Sequence, residues 1–343
     1  MEKNVESMNF ELGLITIILF ARKSLSYSTS FHISHATFRH DYKSMASTFK
    51  IYSYTVSSCP PSSFTELIRH STFITNNPHQ AHLFFIPCPC TSHSPRSLSL
   101  LIQNLRFNFP FWNRTLGADH FCVGGMGFES DRNLLELSKN SIHLFSFPDY
   151  HPNFVPHKDI AIPPLYLNNA PLYNKSTVRG FGYAMHGTVR NYLPFVNETG
   201  FLIELEPADE CSTNKNIESS EYCAFEYSSG IDFSRLGYAL KAGCIPVIIA
   251  ERPIQIMPFL DILRWSEIAF FVKPRSDLRR ALRRVCTSGA CDAMRMAGAE
   301  VSSFFNWHEP PQPYDAFYML MYQLWLRRHS VKYSRAQVPC RIE

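Results

Sequence analysis

Paired metal motifs, dense charge and long apolar runs are all missing from this 343-residue sequence. No two Cys-x-x-Cys pairs occur, so the ten cysteines do not spell a zinc site. Asp-x-Asp is also absent, which removes one common carboxylate clamp for a divalent cation. There is no Gly-x-Ser-x-Gly, and no motif sets a pair of carboxylates, so hydrolase chemistry has no visible home. Charged residues make up only 18% and the net charge is +4, too little to draw the chain to nucleic acid. Short-period repeats and low-complexity tracts are missing too. The N-terminal apolar run, residues 12–21 (LGLITIILFA), has ten residues against the about 20 that a membrane-spanning helix needs. Followed by Arg22 and Lys23, it suits a signal sequence or a shortened signal-anchor, with a buried strand as the alternative.

What is present describes a globular α/β protein. Hydrophobic residues reach 45%, and the length allows two domains with a core each. Residues 1–49 read as a targeting and stem segment, the least structured part of the chain. Beyond it, strand-like runs alternate with helical periodicity. Strands are expected at 50–56, 82–86, 121–123, 142–145, 158–162, 181–185, 201–205, 222–225, 245–249 and 270–272. Helices are expected at 64–70, 98–109, 134–137, 278–285, 294–305 and 315–329. A proline-rich bend at Pro163-Pro164 divides a first domain, 50–170, from a second, 171–335. The basic run at 279–284 reads as a solvated helix face, with an anionic partner as the alternative.

The chain is organised around residues 222–250. Tyr222-Cys223-Ala224-Phe225 is a buried strand, and Ser228-Ser229-Gly230 breaks it with a glycine suited to a tight turn. Asp232 or Ser234 can cap the next helix, Gly243 ends it, and residues 245–249 form a second strand. A strand–turn–helix–strand unit implies a parallel sheet, and its first loop feeds a helix N-terminus that favours phosphate.

Sequons at Asn113, Asn174 and Asn197, together with the cysteines, point to the secretory pathway. Cys88 with Cys90 nearby, and Cys286 with Cys291, are candidates for disulfides, with connectivity open.

Six stretches carry a resemblance: 112–121 (WNRTLGADHF), 157–163 (HKDIAIP), 186–190 (HGTVR), 242–248 (AGCIPVI), 258–263 (PFLDIL) and 314–317 (YDAF). In this order they resemble the plant exostosin-like glycosyltransferases, glycosyltransferase family 47. The resemblance implies a GT-B enzyme, two Rossmann-like domains facing across a cleft, anchored as a single-pass type II protein in the Golgi membrane. It further implies transfer, with inversion, of a sugar from a nucleotide-diphosphate donor to a cell-wall polysaccharide or a glycoprotein. No cofactor or metal is expected; partners are the sugar nucleotide, the acceptor glycan and other glycosyltransferases in a hetero-complex.

The donor is expected on the second domain, bound by His186, Gly187, Arg190, Ser228, Ser229, Gly230, Arg235 and Tyr238. Arg190 and Arg235 suit a diphosphate because a guanidinium donates two hydrogen bonds at once. Asp119 and His120 form the candidate base pair, with a buried structural role as the alternative. Two positions depart from the family pattern. Tyr238 stands where many relatives carry an acid, and Gly124-Gly125-Met126-Gly127 replaces a His-Asp pair. A second hypothesis follows, that of a transferase-like binder of glycans or sugar nucleotides without turnover.

Overall fold

A computed structural model describes residues 34–56, 62–88, 95–124, 132–147, 154–164, 180–185, 196, 201–204, 210–227, 235–251, 256–273, 279, 282–283, 286 and 289–335. Two five-stranded sheets organise them, and every strand pairing is parallel. The first holds β1 Ile51–Ser53, β2 Leu83–Phe85, β3 His120–Val123, β4 Ile142–Ser146 and β5 Ile160–Ile162, side by side in chain order. The second holds β6 Gly180–Met185, β7 Leu202–Glu204, β8 Ser220–Glu226, β9 Ile245–Ile249 and β10 Phe270–Val272, in the order β10-β9-β8-β6-β7. The α/β class with two Rossmann-like sheets is thus the observed architecture. Continuous apolar runs such as 245–249 form strands here because both faces of a parallel sheet are covered.

On one face of the first sheet, Tyr54, Phe84, Ile86 and Cys122 meet Leu98, Ile102 and Leu105 of α3 Pro95–Asn108. Phe111 and Trp112 of α4 Pro110–Thr115 join them, with Leu134 and Leu137 of α5 Arg132–Asn140. On the other face, Ile51, Phe85, Phe121 and Leu144 meet Phe64 of α2 Ser63–Arg69. That core is continuous with the second half of the chain and with the final helix.

The N-terminal segment corrects the sequence expectation. Residues 35–48 form α1 His35–Thr48, whose Ser34 cap accepts from the Thr37 amide at 3.1 Å. Phe38, Tyr42 and Met45 recur at helical spacing and are buried, and Tyr42 stacks on Tyr314 with ring centroids 4.2 Å apart. Polar residues between these anchors hide the period in a mean hydropathy reading.

Helix α6 Glu210–Glu218 lies beside α7 Leu236–Ala242, and α8 Ala290–Val301 continues into a 3-10 turn, Ser302–Phe305. Gly243 ends α7 with φ of 76°, the left-handed backbone a glycine adopts freely. Gly237 in mid-helix has a packing reason: a Cβ there would sit 2.7 Å from Cβ of Phe305.

The final helix, α9 Ala316–Arg335, runs beyond the expected end at 329. Arg327 is therefore mid-helix rather than at a terminus. Its guanidinium donates to the carbonyls of Lys158 (2.9 Å) and Asp159 (3.0 Å) and to Asp261 Oδ2 (2.7 Å). One side chain so ties the first sheet, the second half and the last helix. Phe147, just after β4, meets Tyr227, just after β8, at 6.1 Å between rings, so the C-terminal edges of the two sheets face each other. Disulfides join Cys223 to Cys244, beside the β8–β9 pair, and Cys286 to Cys291. Among the described residues, no helix is long and apolar enough to cross a membrane.

Candidate functional site

The order of the second sheet fixes where a ligand can sit. From β6 the chain leaves toward β7 on one side; from β8 it leaves through α7 toward β9 on the other. Adjacent parallel strands whose connections diverge open a crevice at their C-terminal ends, the usual ligand site of a doubly wound sheet. Met185 and Glu226 mark those ends. The chain passes directly from Met185 into His186, Gly187 and Arg190, and from Tyr227 into Ser228, Ser229 and Gly230. These six candidates lie outside the described residues; the strands that deliver them are adjacent in register, Ala184 opposite Ala224. Glu226, 1% exposed, also brings a carboxylate to this end of β8. Sequence reasoning passes over it, because it reads as the end of an apolar strand.

Arg235 directly precedes α7, and its Nη1 donates to Asn214 Oδ1 of α6 at 3.0 Å. One turn further, the Tyr238 hydroxyl donates to Glu218 Oε1 at 2.5 Å. Burial, then the Glu218 carboxylate, push this phenol above its ordinary pKa, so it stays protonated. Tyr238 is 3% exposed, and Glu218 lies just before β8 begins, at the end of the sheet opposite the crevice. The expectation that Tyr238 presents its phenol to a donor is not what this contact shows. The side chain bridges two helices instead.

Asp119 and His120 stand at the start of β3, both 0% exposed. His120 Nδ1 lies 2.8 Å from Asp119 Oδ1, and Nε2 lies 2.8 Å from the Tyr54 hydroxyl. Asp119 also accepts from Thr115 Oγ1 (2.6 Å) and Arg114 Nη2 (2.9 Å). Burial would raise the Asp119 carboxyl, but the bonds from His120, Thr115 and Arg114 outweigh it and hold the pKa at about 2. Burial lowers the His120 pKa, against the pull of Asp119, so the ring is neutral. Nδ1–H then donates to Asp119, and Nε2 accepts from Tyr54. A base must reach the hydroxyl it deprotonates, and this ring has no exposed atom and no free nitrogen. Of the two readings the sequence leaves open, this geometry favours the structural one.

Other motif residues hold the architecture in the same way. Asp159 accepts from the amides of His143 (3.0 Å) and Val155 (2.9 Å) and from Lys158 Nζ (2.5 Å). Asp261 takes Gln323 and Arg327, and Asp315 caps α9 through the Tyr318 amide at 2.9 Å. No group of three or more metal-binding side chains occurs among the described residues. Of the sequons, Asn113 is described, on exposed surface within α4; Asn174 and Asn197 are outside.

Comparison with known proteins decides the family. The exostosin GT47 domain matches residues 61–285, well over half of the chain. The chain belongs to the exostosin GT47 family. A "Probable glycosyltransferase" of Arabidopsis thaliana is 24% identical over 339 residues, covering 86% of this chain and 65% of that protein. A "Probable glucuronosyltransferase" of Oryza sativa subsp. japonica is 27% identical over 294 residues, covering 72% and 66%. A "Probable beta-1,4-xylosyltransferase" of Arabidopsis thaliana is 24% identical over 292 residues, covering 72% and 70%. The chain spans 61–65% of the length of the three probable glycosyltransferases it matches first.

Proposed function

We propose that this GT47 protein is a Golgi glycosyltransferase moving a sugar from a nucleotide-diphosphate donor to a cell-wall polysaccharide or a glycoprotein glycan. The observation that carries the reading is the crevice at the C-terminal ends of β6 and β8, the two strands that His186, Gly187, Arg190 and residues 228–230 follow in sequence. A sugar leaving its diphosphate builds negative charge on the phosphate oxygens, which cations and aligned N–H groups must stabilise. Arg190 and the backbone amides of residues 228–230 would meet that need. Helix α7, at seven residues, adds only its first turn. The acceptor would approach from the first sheet, whose C-terminal edge faces the crevice. Disulfides within the fold agree with passage through an oxidising compartment, and residues 12–21 would anchor or target the chain there.

Calorimetry with a panel of sugar nucleotides tests the reading. One donor should bind, and Arg190→Ala should remove most of that binding. Absence of binding across the panel, or unchanged affinity in Arg190→Ala, refutes the donor site. The second reading, a binder without turnover, is favoured by the diversion of Tyr238 to Glu218. Donor binding without sugar transfer to any of a panel of plant glycans would select it.

A further inference from the structure

The most exposed large apolar side chain among the described residues is Phe107, 91% accessible near the end of α3. Leu100 on the same helix is 54% exposed and Leu116, after α4, is 50%. One feature adjoins Phe107. Asn113 starts the sequon Asn113-Arg114-Thr115, and its Nδ2 donates to the carbonyl of Arg106, the neighbour of Phe107, at 3.0 Å. We propose that Asn113 carries an N-linked glycan whose first sugar lies over Phe107, so that this apolar patch is covered by carbohydrate rather than by protein. The inference rests on the secretory reading given above, though not on the donor site.

The chemistry fits the geometry. In the transfer, the amide nitrogen of Asn113 bonds to the anomeric carbon of an oligosaccharide carried on a lipid diphosphate. The carbon–oxygen bond to the diphosphate breaks, the lipid diphosphate leaves, and the nitrogen gives up one proton. The one N–H that remains is enough to keep the bond to the Arg106 carbonyl. That bond then fixes the direction in which the sugar leaves, beside Phe107. An aromatic face accommodates the C–H face of a pyranose, and burying the ring removes apolar surface from water.

Timing follows from the same contacts. In the folded chain Asn113 is helical and the Thr115 hydroxyl is bound to Asp119 at 2.6 Å, so neither sequon group is free. The sugar must be added before α3 and α4 pack. Refolded, unmodified protein should accordingly be a poor acceptor for the transferase that modifies nascent chains.

The full chain, expressed through the secretory pathway of plant cells, tests this by peptide mass mapping and by comparing Asn113→Gln, Phe107→Ala and the double variant. The Asn113 peptide should carry the glycan mass. Losing it in Asn113→Gln should raise binding of a hydrophobic dye and lower Tm by about 2 °C, as for one lost aromatic contact. In the Phe107→Ala background, losing the glycan should change neither reading. Trimming to a single sugar with an endoglycosidase should keep the protection. An unmodified Asn113 overturns the proposal, as does an equal dye and Tm response with and without Phe107. Donor calorimetry on Asn113→Gln keeps the two readings apart: it should match the glycosylated protein whichever way the donor question falls.

Discussion

Replacing His120 by Leu separates a catalytic role from a structural one. In the folded chain the ring accepts from Tyr54 and donates to Asp119, stacked 5.6 Å from Tyr54 and 5.0 Å from Phe84. Leucine keeps much of the volume but no polar atom. The Tyr54 hydroxyl, buried with its residue at 2% exposure, is left without this acceptor, which costs about 1–3 kcal/mol. Asp119 loses one donor but keeps Thr115 and Arg114, a charge-assisted loss of about 1.5–3 kcal/mol. The two effects share a network and do not add in full, so a fall of about 3–5 kcal/mol is expected. At roughly 2–4 °C per kcal/mol, thermal unfolding followed by circular dichroism should shift down by about 6–20 °C. Sugar transfer measured well below the melting range should persist. An unchanged melting curve with transfer abolished would refute the structural reading and restore His120 as a base.

The same network predicts a pH dependence. His120 and His143 are buried with folded pKa values below 6.5, so unfolding lets them take up protons; stability should be full above pH 6.5 and decline as pH falls below it. Calorimetric Tm between pH 7.5 and 5 reads this slope, which His120→Leu should flatten. Asp119, folded near 2 against 3.8 unfolded, adds about 2 kcal/mol above pH 4 that is lost as pH falls through about 2. Gly237→Ala gains about 1 kcal/mol of helix propensity but drives a methyl to 2.7 Å from Phe305, so urea midpoints should show a net loss of about 1–2 kcal/mol. Tyr238→Glu places a second carboxylate against Glu218 and should lower stability at neutral pH, with recovery at pH 4 as one of the two protonates; a stabilised variant would mean that position 238 does face a cationic or hydroxyl-bearing ligand.

Much of the fold was legible because parallel strands buried on both faces announce themselves. Residues 245–249 and 270–272 appear as strands with the expected bounds, and the β8–α7–β9 unit is the one read from residues 222–250. The helices α1 and α6 were missed for a common reason. Each carries polar residues around a few buried anchors, Phe38, Tyr42 and Met45 in one, Thr213 and Ile217 in the other. Of two disulfides within the described residues, Cys286–Cys291 joins cysteines close in sequence, whereas Cys223 and Cys244 meet only because β8 and β9 are neighbours. At the candidate site, sequence pointed to the segment after β8, residues 228–230, which lie outside the described residues, and could not know the crevice. The crevice depends on β6 lying between β7 and β8, a pairing order that no local pattern encodes.

The carboxylates within the motifs that reveal the family are engaged by other groups of the fold. Asp119, Asp159, Asp261 and Asp315 are the most recognisable of them, and each is spent on amides, on a histidine or on a cation inside the fold. Losing Asp119, Asp159 or Asp315 would remove an acceptor from buried donors, and losing Asp261 would remove the carboxylate facing the Arg327 guanidinium, so each has a role in the fold. An active transferase and an inactive relative would need the same four. Their contacts therefore support the architecture and are neutral on turnover. Turnover must be decided where the two sheets face each other, by groups the fold can do without. We propose the arginine at 190, which follows β6 in the sequence, as such a group. Its substitution is accordingly the one change among these residues expected to remove donor binding while leaving the melting curve in place.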